Sequence, residues 1–257
     1  MSQDYAVVTG ASSGIGRVFA QRLAARGTPL ILVARRKELL QSLAMELPVP
    51  CVVVPADLST RAGCDAVEQA AREAGASVGL LVHCAGYGLL GRFETLDPDD
   101  MLAMTELSCR AVVDLTRRFL PGMLAAGRGG LVFVSSLAAF QGAPFMSTYG
   151  GGKAFQLNFA EGLHQELRGR GVDVLCVCPG PVRTRFGVRA GVTVFRGEST
   201  YLAPERVVDR ALAALGRRPV LVMGWWPWMS ALLGRFVPRS LSAWVSGQVA
   251  RRLRPGL

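Results

Sequence analysis

The chain has 257 residues, half of them hydrophobic, with 29 basic against 19 acidic side chains and a formal charge of +10. That length suits one α/β sheet with crossover helices, so a single domain over residues 1–257 is expected. The positive excess does not read as a nucleic-acid stripe, because every basic residue except Lys37 and Lys153 is an arginine and most are scattered singly. The polar start at Met1 has neither the basic opening nor the apolar stretch of a secretory leader, and the six cysteines (Cys51, Cys64, Cys84, Cys109, Cys176, Cys178) have no metal-ligand spacing. A cytosolic protein with reduced thiols and no bound metal is expected.

Short apolar runs alternate with helix-period segments as far as about residue 224. Strands are predicted near 5–9, 29–34, 51–55, 79–84, 130–135, 172–178 and 219–223, with helices between them. That alternation predicts a doubly wound, Rossmann-type, seven-stranded parallel sheet with helices on both faces.

The first strand opens into Gly10-Ala11-Ser12-Ser13-Gly14-Ile15-Gly16, followed by a helix expected to start near Arg17. At a strand-to-helix turn each glycine has a purpose. Gly10 permits the tight turn, Gly14 lets backbone amides approach a pyrophosphate, and Gly16 lets helix pack close on strand, while the helix N-terminus attracts negative charge. Three residues separate the first two glycines, and Thr9-Gly10-x-x-x-Gly14-Ile15-Gly16 resembles the short-chain dehydrogenase/reductase signature. The resemblance runs from Tyr5 to about Met223 and implies a nicotinamide-dependent oxidoreductase, with Ser12, Ser13 and Ile15 in the cofactor-binding turn.

Ribose selection belongs at the end of the second strand, where an acid would accept from the 2′-hydroxyl of NAD and an arginine would pair with the 2′-phosphate of NADP. Here the strand ends in Ala34-Arg35-Arg36, so NADP(H) is expected. The resemblance adds Asp57 and Leu58 as the adenine contact and places Cys84, Ala85 and Gly86 beside the cofactor ribose. The neighbouring His83 reads as a satisfied strand-end histidine rather than a catalytic one.

Tyr149 and Lys153 are four residues apart, which on a helix puts them on one face, one turn from each other. A phenol loses its proton near pH 10, and an ammonium fixed beside it is expected to bring that value down. The resemblance makes this the catalytic pair, with Lys153 also binding the nicotinamide ribose. Ser136, at the carboxyl end of the strand Leu131–Val134, matches the family's catalytic serine, which would hydrogen-bond the substrate oxygen; Ser135 competes, but strand alternation favours Ser136. Counting back from Leu120-Pro121, Ser108 stands where the family has an asparagine that holds a relay water behind the lysine. A shorter hydroxyl there implies a weaker relay or one through a different water.

Pro179, Gly180, Val182 and Thr184 follow the sixth strand and resemble the segment that closes over the nicotinamide. Residues 185–203, with Phe186, Arg189, Phe195, Arg196 and Tyr201, read as a substrate lid. Residues 224–257 read as an amphipathic extension: Trp225, Trp226 and Trp228 precede a helix with a stripe at Leu241, Trp244, Val245, Val249 and Leu253. The uncharged stretch Pro219–Gly234 is 16 residues long and broken by Pro227, too short for a membrane span. From Arg210 onward there are eight arginines and no acid, so peripheral contact with an anionic membrane competes with dimer packing and with a pocket wall.

Together with the resemblance, these residues imply an NADP(H)-dependent enzyme interconverting a carbonyl and a secondary alcohol on a fairly apolar small molecule, working as a homodimer or homotetramer. The rival is a catalytically silent NADPH-binding protein that engages a membrane or partner, a reading that Ser108 keeps open. A nucleotide-sugar epimerase would share the tyrosine and lysine, but the glycine spacing and short chain argue against it.

Overall fold

Seven apolar segments pair in parallel as one sheet in the order β3-β2-β1-β4-β5-β6-β7. They are β1 (Tyr5–Thr9), β2 (Leu30–Ala34), β3 (Cys51–Pro55), β4 (Val78–His83), β5 (Gly129–Val134), β6 (Val172–Cys178) and β7 (Val220–Val222). The computed structural model describes residues 4–184, 186, 201–223 and 238–253. Each strand begins and ends within one residue of its predicted bounds. Strands covered on both faces are nearly continuous apolar runs, which is why their limits are visible in sequence.

Alternate residues along the strands feed two cores. Val7, Ile31, Leu81, Phe133 and Cys176 pack against α3 (Arg61–Glu73), α5 (Ala111–Ala126) and α6 (Ser147–Glu166). On the other face, Val8, Leu32, Val82, Val132 and Val177 meet α1 (Gly14–Ala24), α2 (Lys37–Glu46) and α7 (Pro204–Ala214). The strand order reverses between β1 and β4, so their carboxyl ends diverge and open a crevice.

Two local departures from the sequence reading matter for the site. The first helix starts at Gly14, three residues before the predicted Arg17, because Arg17 N already donates to Ser13 O at 3.3 Å before any side-chain periodicity has begun. Before α5, the short helix α4 (Pro98–Thr105), capped by Asp97, runs on through a single π turn at Glu106–Arg110, and Ser108 is buried in that turn.

The last helix, α8 (Arg239–Leu253), lies on the loop that precedes α6. Ser242 Oγ donates to Gln141 Oε1 at 2.9 Å, and the Arg251 guanidinium lies 5.6 Å from the centre of the Phe145 ring. Phe145 has φ +65°, a left-handed backbone unusual for an aromatic residue, and its carbonyl accepts from Gly91 N. Leu241, Trp244 and Val245 face outward, 49%, 62% and 48% exposed. The predicted lid residues Arg189, Phe195 and Arg196, the three tryptophans Trp225, Trp226 and Trp228, and the side chains of Val249 and Leu253 lie outside the described residues. No described helix is long and apolar enough to cross a membrane.

His83 closes β4 as a buried, neutral ring. It stacks on Phe133 with centroids 4.9 Å apart, and Nε2 meets Thr116 Oγ1 at 2.9 Å. Burial first, then the nearby Lys153 charge, pulls its pKa down to about 3. Between that value and the ordinary 6.5 the unfolded chain binds the extra proton, so this contribution to stability is complete above about pH 6.5 and is lost as pH falls toward 3. A His83→Asn variant should therefore lose less stability than wild type between about pH 7 and 4, by a few kcal/mol, when urea unfolding is followed across that range.

Candidate active site

Thr9 organises the crevice. Its Oγ1 donates to Val82 O at 3.1 Å and accepts from the amides of Cys84 and Ala85 at 2.9 and 3.0 Å, tying the end of β1 to the chain leaving β4. Gly10, at φ +70°, then passes so close that a Cβ would stand 2.9 Å from Ala85 Cα. Gly16 is tighter still, since a Cβ there would collide with Gly10 O. Only glycine lets α1 start against the turn.

Ser13 is the N-cap residue of α1, yet its side chain does not cap the helix. Instead Ser13 Oγ and Ser12 Oγ both accept from Arg36 Nη2, at 3.0 and 2.9 Å. The first-turn amides of α1 therefore remain for an anion, and the guanidinium is fixed at the cavity edge. Arg35 stands alongside, its Nη1 3.9 Å from Asp57 Oδ2. Asp57 Oδ1 in turn accepts from the amide and hydroxyl of Ser59, which fixes the carboxylate beside Leu58. Thr184 lies against Gly14, its methyl 3.1 Å from where a Cβ would be. This glycine cradle fits the pyrophosphate of a dinucleotide, and two cations stand at its rim.

At the other end, α6 presents Tyr149 and Lys153 one turn apart, both buried. Lys153 Nζ donates to Val134 O at 2.7 Å and to Gln156 Oε1 at 3.0 Å. The two serines after β5 divide as alternation predicts. Both line the cavity, but Ser135 Oγ is taken up by Lys153 O, to which it donates at 2.8 Å, whereas Ser136 Oγ accepts only from Ala138 N at 3.2 Å among backbone groups and stands beside Tyr149.

One electrostatic expectation is corrected. The Tyr149 phenol is not brought down toward neutrality; burial pushes it up to about 12, and the Ser136 hydroxyl draws it back only in part. The ammonium is 5.9 Å from the centre of the tyrosine ring and is engaged by Val134 and Gln156, so removing the phenolate from water outweighs its influence. Burial also pulls Lys153 below its ordinary value.

Every residue predicted to bind cofactor, from Gly10 to Thr184, lines one cavity of about 930 Å³, as do Tyr149, Lys153 and Ser136. Ser108 does not line it: its main-chain O accepts from Gln156 Nε2 at 3.0 Å behind the lysine. Sequence reasoning missed Gln156 as a site residue, although its place three residues after Lys153 put it on the same helix face. It also missed the part of the wall formed by Leu90, Leu107 and Met146, which distant loops and helices bring in; Phe186 and Tyr201, named in the lid, join that wall, as does Ala250 of α8. The Phe186 ring lies 5.3 Å from that of Tyr149.

Comparison with known proteins agrees with this architecture. The short chain dehydrogenase family model matches residues 4–191. A very-long-chain 3-oxoacyl-CoA reductase of Anas platyrhynchos is 31% identical over 236 residues, 86% of this chain and 74% of that protein. Among solved structures, a 7β-hydroxysteroid dehydrogenase superposes with a TM-score of 0.87 at 26% identity, covering 95% of this chain and 96% of the other. A short-chain dehydrogenase from Sphingobium yanoikuyae in complex with NADPH is 34% identical with a TM-score of 0.79, covering 91% and 93%. With its family model matched from β1 through β6, including the glycine turn and α6, the chain belongs to the short-chain dehydrogenase/reductase family.

Proposed function

We propose that the protein is an NADP(H)-dependent oxidoreductase that interconverts a carbonyl and a secondary alcohol on a fairly apolar substrate. The observation that carries this reading is a single cavity with Arg35 and Arg36 at one end and Tyr149, Lys153 and Ser136 at the other, walled beyond them by Leu90, Leu107, Met146 and Phe186. A bound nicotinamide dinucleotide supplies or accepts the hydride.

The chain's own residues do the rest. Ser136 Oγ donates a hydrogen bond to the substrate oxygen and holds it at Tyr149, whose Oη gives the proton in reduction and takes it in oxidation. Lys153 keeps one N–H for the ribose hydroxyls beside the reacting centre. Arg36, braced by Ser12 and Ser13, offers its planar fork to a 2′-phosphate, a geometry a ribose hydroxyl does not need. The apolar wall excludes water from the carbonyl and favours a bulky hydrocarbon substituent. That the Sphingobium relative was solved with NADPH, and that other relatives are named for steroid or very-long-chain acyl substrates, is consistent with both choices.

Bulky apolar ketones offered with each cofactor test this reading. NADPH oxidation should exceed NADH oxidation in kcat/KM, and Arg36→Ala should weaken NADPH binding by about tenfold to a hundredfold while leaving NADH binding unchanged. Equal kcat/KM for the two cofactors would sink the NADP assignment. NADPH binding without turnover across the whole panel would favour the silent binding protein instead.

The outward stripe of α8 supports a peripheral location. Leu241, Trp244 and Val245 stand exposed in a stretch that carries eight arginines and no acid from Arg210 onward, a pairing suited to an anionic lipid surface. Full-length chain should co-sediment with phosphatidylserine vesicles, and a Leu241→Ser, Trp244→Ser variant should remain in the supernatant; equal sedimentation of the two would remove the stripe from the account.

A further inference from the structure

An ammonium has three N–H donors. In Lys153 one goes to Val134 O and one to Gln156 Oε1, and the third is left for the cavity that the side chain lines. Gln156 is only 1% exposed, and its Nε2 donates at 3.0 Å to the carbonyl of Ser108, itself 2% exposed. The carboxamide has one orientation here, because the ammonium only donates and a carbonyl only accepts. The π turn explains why a carbonyl in the middle of a helical stretch is available: Ala111 N reaches back five residues to Glu106 O, which displaces the ladder by one position. Neither Gln156 nor Ser108 lines the cavity.

We propose that Gln156 both positions Lys153 and closes the route from its ammonium to solvent behind it, so that among the described residues the pocket side is the path by which the site exchanges protons. A proton wire needs each member to accept on one side while donating on the other, as waters and hydroxyls do. A carboxamide manages this only through its imidic tautomer, and the Ser108 carbonyl beyond it has no proton to give. The series Lys153, Gln156, Ser108 therefore fixes a charge and conducts nothing. Two nearby titratable groups are engaged elsewhere: His83 Nε2 meets Thr116 Oγ1 at 2.9 Å, and Cys176 Sγ meets Cys178 Sγ at 3.9 Å.

The inference rests on the roles proposed above for Tyr149 and Lys153, and it adds an order of events. The proton that leaves Tyr149 Oη for the substrate oxygen is replaced by one from water that enters the cavity after the alcohol has departed. Reprotonation and product release then use one opening.

The test reads the ammonium directly. Lys37 and Lys153 are the only lysines, so labelling lysine with nitrogen-15 at Nζ gives two signals from the full chain, with exposed Lys37 as the reference. Near pH 7, with a saturating nicotinamide dinucleotide covering the pocket side, the Lys153 ammonium protons should exchange with water at least about tenfold more slowly than those of Lys37, the protection expected from hydrogen bonds to a charged group. Gln156→Ala, which leaves room for water, should remove most of that protection, whereas Gln156→Met, which fills the space without an amide, should keep it. Equal exchange at the two lysines in wild type would overturn the proposal, and so would Gln156→Ala exchanging no faster than Gln156→Met. If a variant fails to fold, the wild-type comparison alone decides. None of these readings depends on turnover, so a chain that reduces no ketone would fail the preceding proposal and leave this one standing on its own result.

Discussion

A positive charge placed 6% exposed in the protein interior is the constraint on which the rest of the site depends. Moving an ammonium out of water is costly unless its donors are met, and here they are met by neutral oxygens, Val134 O and Gln156 Oε1. Those acceptors come from the end of β5 and from α6 itself, and Ser135 ties the two together through Lys153 O. The orientation of α6, and with it the position of Tyr149, follows from keeping that charge satisfied. Burial in turn sets the acid–base character of the site, holding the tyrosine well above neutrality and the lysine below its usual value.

The cofactor end obeys a different rule, that of close approach. Thr9 draws the end of β4 onto β1, and Gly10 and Gly16 remove the side chains that would otherwise stand between Ala85, the turn and α1. Helix amides are thereby left for phosphate, and Arg36 is braced on two serines at the rim. One end of the cavity is built from absent side chains and the other from a buried charge.

Much of this was legible in the sequence, for reasons tied to particular residues. The sheet was readable because covered parallel strands are continuous apolar runs bounded by turns, and the glycine turn because its spacing has few other uses at a first strand. Tyr149 and Lys153 could be paired because four residues make one helical turn. The preference for Ser136 over Ser135 rested on alternation together with the family spacing. What was hidden depends on contacts between distant segments. Nothing local to Ser108 reveals that a π turn aims its carbonyl at Gln156, and no periodicity announces that Leu90, Met146 and Ala250 meet around one volume. The start of α1 was misplaced because its hydrogen bonds begin before its apolar pattern, and the pKa of Tyr149 because burial, invisible in sequence, outweighs a neighbouring cation.

Binding and turnover measured together on two conservative variants test the central claim, that this pair acts on a bound dinucleotide. Tyr149→Phe keeps the ring and loses the proton, so NADPH affinity should stay within about twofold of wild type while ketone reduction falls by roughly a hundredfold or more. Lys153→Met keeps the volume and loses the charge, so NADPH affinity itself should drop by about tenfold to a hundredfold. Ketone reduction retained by Tyr149→Phe, or NADPH affinity unchanged in Lys153→Met, would contradict the account.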